Sequence, residues 1–91
     1  EMLPDGSELM LWPNPVRDGQ VNLLLNGLTD DTQRVTIDVY DMFGKRVRSI
    51  EQDNSGEVFN TVLDMQGVAS GIYLVNVTVN GRLYQHRVNV Q

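Results

Sequence analysis

The 91-residue sequence contains no cysteine. Disulfide staples, zinc–thiolate sites and thiol nucleophiles are thereby excluded, and either redox compartment suits the chain. Histidine is nearly as scarce. Any hydrolytic triad would have to combine the single His86 with Ser7, Ser49, Ser55 or Ser70, and none of these serines sits in a nucleophile-bearing turn motif. Positive charge is in the minority, 7 Lys and Arg against 12 Asp and Glu, for a net charge of −5. Phosphate backbones and anionic lipid surfaces call for the opposite sign, so no nucleic-acid partner is expected. No apolar run reaches the ~18–20 residues that cross a bilayer. Glu1 to Asp5 carries acids where a secretory signal peptide carries Lys or Arg, and position 1 is not methionine, so we expect a piece cut from a longer protein. Helical periodicity is missing too: nowhere do apolar residues recur at i, i+3, i+4 and i+7 over three turns.

What the sequence does contain is alternation. Val35, Ile37 and Val39 alternate with Thr36, Asp38 and Tyr40, and Val21, Leu23 and Leu25 with Gln20, Asn22 and Leu24. Tyr73, Val75, Val77 and Val79 share one face of a further run. Asn80-Gly81 follows that run and begins another, the pattern of a two-residue type I′ hairpin whose central residues both need positive φ. Such a turn pairs Val79 with Arg82, Val77 with Tyr84, Val75 with His86 and Tyr73 with Val88. Asp18-Gly19, Asn26-Gly27, Phe43-Gly44 and Ser55-Gly56 punctuate the remainder. Strands are expected at about 9–12, 20–26, 34–41, 45–51, 57–64, 71–79 and 82–90. The fold class is all-β, a seven-stranded antiparallel immunoglobulin-like β-sandwich. Trp12, Tyr40, Phe43, Phe59, Tyr73 and Tyr84 are spread along the chain and are expected in one core. Leu63 and Tyr73 should be among the most buried residues, each on a central strand. Residues 1–8 have linker composition and are expected to connect something upstream to a single domain at 9–91.

Chemistry-bearing groups are few. Asp30-Asp31 and Glu51 with Asp53 lack the spaced carboxylates of a calcium loop and are read as solvated. Asn76-Val77-Thr78 matches a glycosylation sequon. Lys45, Arg46 and Arg48 form a small basic strand, suited to an anionic partner or to blocking sheet-edge aggregation. His86, mid-strand, reads as a half-buried sheet residue. No catalytic, metal or cofactor site is expected, and the domain is not expected to be an enzyme.

Four segments in order carry a resemblance. Leu11-Trp12-Pro13-Asn14-Pro15 followed by Asp18-Gly19, the run Val39 to Val47 with Asp41 and Gly44, the run Leu63 to Val75 with Gly71 and Tyr73, and the closing Val77 to Val90 run with Gly81 and Arg87 together resemble the C-terminal sorting domains of the type IX (Por) secretion system of Bacteroidetes. The matching positions are Pro13, Asn14, Pro15, Asp41, Gly44, Gly71, Tyr73, Val88 and Val90. Each also has a physical reason to be there. Pro13 and Pro15 remove backbone donors, Asp41 can close an Asx turn, and the Tyr73 hydroxyl needs a partner if its ring is buried.

The resemblance implies a domain that directs its parent protein across the outer membrane. Its partners would be the type IX translocon and shuttle proteins of the outer membrane and a gingipain-like sortase, with a homodimer also allowed. Its location would be the periplasm in transit, then the cell surface or the medium. Val88-Asn89-Val90-Gln91 departs from the basic or valine-lysine tail that family members often show, which would suit a retained domain. The competing reading is a carbohydrate- or protein-binding module of immunoglobulin or fibronectin shape on a secreted hydrolase. That module calls for coplanar exposed aromatics, and only Trp12 and Tyr40 could supply them.

Overall fold

The computed structural model describes residues 8–91. Seven strands succeed one another: β1 (Glu8–Trp12), β2 (Gln20–Asn26), β3 (Thr32–Tyr40), β4 (Arg46–Ser55), β5 (Phe59–Asp64), β6 (Gly71–Val79) and β7 (Arg82–Val90). Among the described residues there is no helix. β1, β2 and β5 form a three-stranded sheet in the order β1-β2-β5, and the others a four-stranded sheet in the order β4-β3-β6-β7. Neighbouring strands pair antiparallel throughout. This is the immunoglobulin-like sandwich that the alternation calls for.

Period-two patterning builds the core directly. Val21, Leu23 and Leu25 of β2 face Val35, Ile37 and Val39 of β3 and Val75 and Val77 of β6 across the interior, all essentially without solvent contact. Burying each such side chain contributes about 1.5–3 kcal/mol, so a few mis-faced residues would empty so thin a core. Asn80 (φ 51°) and Gly81 (φ 76°) both take the left-handed conformation of the type I′ turn. The register follows: Val79 opposite Arg82, Val77 opposite Tyr84, Val75 opposite His86 and Tyr73 opposite Val88. His86 is half-buried on the inner face of β7, as its place in the alternation requires.

Three expectations need correction. β4 extends to Ser55 rather than stopping near Glu51, because its polar half pairs with β3 and Arg34 of β3 bonds Glu51 Oε2 at 3.1 Å and Asp53 Oδ1 at 3.0 Å. β5 is an edge strand, not a central one, although its Leu63 is 1% exposed. Leu63 is buried by facing the opposite sheet rather than by having two neighbours. The aromatics do not share one core: Phe59, Tyr73 and Tyr84 are buried, but Trp12 is 45% and Phe43 97% exposed. Phe43 sits at the tip of a tight turn, where no second layer can cover it. The linker expected at residues 1–8 lies outside the described residues except for Glu8, where β1 begins.

Leu63→Ala should lower the unfolding free energy by about 2–5 kcal/mol, as a large-to-small change in a closed core does. Its outward-facing neighbour Val62, 53% exposed, should lose less than about 1 kcal/mol on the same change. Chemical denaturation of the two variants checks the facing of β5: equal losses would show it misassigned.

Candidate functional site where the opening motif meets β7

β1 stops at Trp12 because Pro13 and Pro15 offer no N–H to a ladder. The Trp12–Pro13 and Asn14–Pro15 peptide bonds are both cis. The segment carries Asn14 to the outer edge of β7, where its side chain behaves as a peptide group would. Asn14 Nδ2 donates to the Arg87 carbonyl at 3.2 Å, and the Asn89 N–H donates to Asn14 Oδ1 at 3.0 Å. Two residues on, the main chain takes over. The Val16 N–H donates to the Asn89 carbonyl at 2.7 Å and the Gln91 N–H to the Val16 carbonyl at 2.9 Å, in a parallel bridge between Val16 and Val90. Val16 is fully buried, with Val88 and Val90 beside it in the core. Neutral hydrogen bonds of this kind contribute about 0.5–1.5 kcal/mol each, so the four together make a substantial clasp. The Arg87 carbonyl also lies 2.8 Å from His86 Nδ1. A carbonyl can only accept, so Nδ1 carries the hydrogen and donates.

The remaining motif residues occupy the four-stranded sheet around this clasp. Tyr73 is buried in β6 opposite Val88, and its hydroxyl finds its partner in the Ala69 carbonyl at 2.5 Å. Gly71 opens β6 opposite Val90. In the β3–β4 turn, Asp41 Oδ1 accepts from the Phe43 and Lys45 N–H groups, each at 2.9 Å, while the Gly44 N–H donates to the Asp41 carbonyl at 3.1 Å. Asp41 and Gly44 border the same surface groove of ≈ 460 Å³ as Tyr73 and Arg87. Pro13 is exposed and Pro15 half-buried on the way into the clasp.

The basic strand has a role that neither expectation foresaw. Arg48 pairs across from Val39 and so points toward the other sheet, where Nε donates to the Asp64 carbonyl at 2.9 Å and Nη2 to the Gln66 carbonyl at 2.6 Å. With Gln52 Nε2 on Thr61 Oγ1 at 3.3 Å, it closes the β4–β5 side of the sandwich. Arg46 lies 3.7 Å from Asp38 and Lys45 is exposed, so β4 remains a charged edge. The hydrogen bond to Glu51, then that to Asp53, raises the Arg34 guanidinium above its ordinary pKa and keeps it charged. Asp30 and Asp31 are exposed in the β2–β3 loop, and among the described residues no three His, Asp or Glu side chains gather as a metal site.

Trp12 faces outward on β1, away from the core in which an aromatic was expected to pack. Tyr40 lies on the outer face of the other sheet, alternating with buried Val39. The two rings thus look in opposite directions, and the coplanar platform of a carbohydrate-binding module is not assembled. Sequence reasoning missed Val16 and the inward Arg48. An isolated apolar residue just after Pro-Asn-Pro, and an arginine on the core-facing phase of its strand, were the available signals.

Gly19 and Gly44 have nearly the same backbone, φ +81° and +83°. A Cβ on Gly19 would lie 2.5 Å from Gln66 Cγ, in the loop that Arg48 clamps, whereas one on Gly44 would meet nothing within 4 Å. Each change to Ala should cost about 1–2 kcal/mol for the left-handed backbone, and Gly19→Ala a further 1–3 kcal/mol, roughly, for the crowding. Thermal unfolding of the two variants measures the difference, and equal shifts would deny that the opening motif packs on that loop.

No curated protein matches the chain. Among solved structures, the crystal structure of dimeric latent PorU from Porphyromonas gingivalis is similar at a TM-score of 0.75 with 22% identity, over 92% of this chain and 9% of that one. At such identity the likeness speaks for the fold. The chain spans less than a tenth of that protein's length. A β-glucosidase from Listeria innocua, in complex with isofagomine and with glucose, gives TM-scores of 0.49 and 0.48 at 13% and 14% identity, over 92% of this chain and 16% of the other, too low to build on. The family described as the secretion system C-terminal sorting domain matches residues 10–91, from inside β1 to beyond β7. Domains of that family are signals rather than catalysts, and they mark proteins for the type IX secretion machinery and export across the outer membrane. With its match running through all seven strands and through the clasp, this chain belongs to the family of secretion system C-terminal sorting domains.

Proposed function

We propose that residues 9–91 are both signal and substrate in type IX export, and that residues 1–8 join them to an upstream cargo protein. The parent crosses the periplasm, and the translocon and shuttle proteins of the outer membrane receive it through the folded domain. A gingipain-like cysteine sortase then cuts upstream of the sandwich, leaving the cargo at the cell surface, where it can be joined to anionic lipopolysaccharide, or in the medium. The domain supplies no catalysis of its own. Its motif positions, Pro13, Asn14, Pro15, Asp41, Gly44, Gly71, Tyr73, Val88 and Val90, serve as the frame of the recognised surface rather than as its contact points. Self-association of two copies would use the exposed Met42 and Phe43 of the β3–β4 turn.

The family match over residues 10–91 carries this reading. The geometry supports it. Pro13, Asn14 and Pro15 end β1 and close on β7, and Asp41, Tyr73, Val88 and Val90 hold turns and core positions, so the motif as a whole stabilises one rigid shape. A rigid signal has already lost the freedom that a flexible peptide would lose on binding, which favours recognition of the fold.

Fusing residues 9–91 to the C-terminus of a periplasm-targeted reporter should deliver the reporter to the surface of a host with a working type IX system. Deleting β7 from Tyr84 onward should leave it in the periplasm, since that unpairs β6 and removes Val88 and Val90 together. Protease accessibility on intact cells distinguishes the two locations. A full fusion that stays periplasmic, while an established sorting domain exports the same reporter, would refute the proposal.

A further inference from the structure

The clasp joins residues 73 and 75 positions apart, Asn14 with Arg87 and with Asn89. Its consequence for the closing residues is that their backbone is occupied on both sides. β6 takes the inner edge of β7, with Ile72 opposite Asn89 and Gly71 opposite Val90. On the outer edge, Asn14 and Val16 take the Arg87 and Asn89 carbonyls and the Asn89 and Gln91 N–H groups. A tail read as a free peptide by strand addition would need those same groups unpaired. What a partner can reach instead is side chains. Asn89 and Gln91 are exposed, as is the Asn14 that bonds their strand, with Arg87 at the border of the neighbouring groove.

We propose that Asn14 is a positioning residue for sorting: it fixes Arg87 to Gln91 as one edge of a surface framed by the opening motif, on which a protein of the export machinery reads the side chains of the held tail. The proposal rests on the sorting-signal reading above and deepens it. It also implies that a cut upstream of Glu8 leaves the tail held, because both halves of the clasp stay on the domain.

The test uses the 91-residue chain, free and fused to the reporter, in the forms Asn14→Ala, Asn14→Asp and Leu63→Val, the last a core change remote from the clasp. Amide hydrogen exchange is read by NMR on the free chain and surface delivery on the fusion. Asn14→Ala should speed exchange at Asn89 and Gln91 about tenfold relative to Val75, and surface delivery should fall by a similar factor, as losing one or two neutral hydrogen bonds implies. Asn14→Asp keeps the acceptor for the Asn89 N–H but loses the donor to the Arg87 carbonyl, so it should fall between the two. Leu63→Val should raise exchange evenly and leave delivery near that of the unaltered chain. Faster exchange with normal delivery would mean that the tail is read as a free peptide, and the proposal fails. Unchanged exchange fails it as well, since Asn14 would then not hold the tail. Equal losses of delivery from Asn14→Ala and Leu63→Val would reduce Asn14 to a stabilising role. If the unaltered fusion is not delivered at all, the sorting reading is what falls, and the exchange arm still decides whether Asn14 holds the tail.

Discussion

A sandwich of two small sheets has two open sides, and its thin core survives only if both are closed. In this domain one side is closed by main chain together with an amide side chain that imitates it, and the other by side chains reaching across. Asn14 and Val16 bond the outer edge of β7, while Arg48 and Gln52 of β4 reach across to the Asp64 and Gln66 carbonyls and to Thr61. The β7 closure is the more consequential, because it fixes the relation of the two sheets at the point where β1 gives way to the loop. Val16, Val88 and Val90 are dry only because that strap holds. Tyr73 in turn packs where Val88 stands, and the groove beside it is bounded by the turn that Asp41 closes.

The fold was largely legible in the sequence, for reasons that particular residues make plain. Alternation at Val35, Ile37 and Val39 could bury those residues in only one register, and Asn80-Gly81 set the β6–β7 pairing through the backbone angles a two-residue turn demands. Less was legible where burial depends on distant neighbours. Leu63 is as buried as a central-strand residue although β5 is an edge, since its cover comes from the opposite sheet. Phe43 and Trp12 look like core residues by composition. Their positions weigh the other way: Phe43-Gly44 marks a turn, and Trp12 follows Leu9 and Leu11 on the outward phase of β1.

The candidate site was legible as a set of positions but not as an arrangement. Asp41 and Tyr73 could be assigned their partners in kind, an Asx turn and a hydroxyl acceptor, because those needs are local. Asn14 could not, since its partners lie more than seventy positions away and its role is to imitate a backbone group. Separation in sequence, though shorter, also hid Arg48, which in sequence is one more cation in a basic strand and in the fold a clamp on the carbonyls at the end of β5 and in the loop after it.

That distance also has a bearing on time. Contacts between residues far apart in sequence form late, after the intervening chain has paid its loop-closure entropy. The strap between Asn14 and Asn89 therefore cannot close until β7 has been made. A parent chain whose synthesis stops short of β7 carries most of the motif yet never completes the shape. The order of the strands thereby works as a test of completeness: the domain becomes a finished object only when everything before its closing strand has already been built.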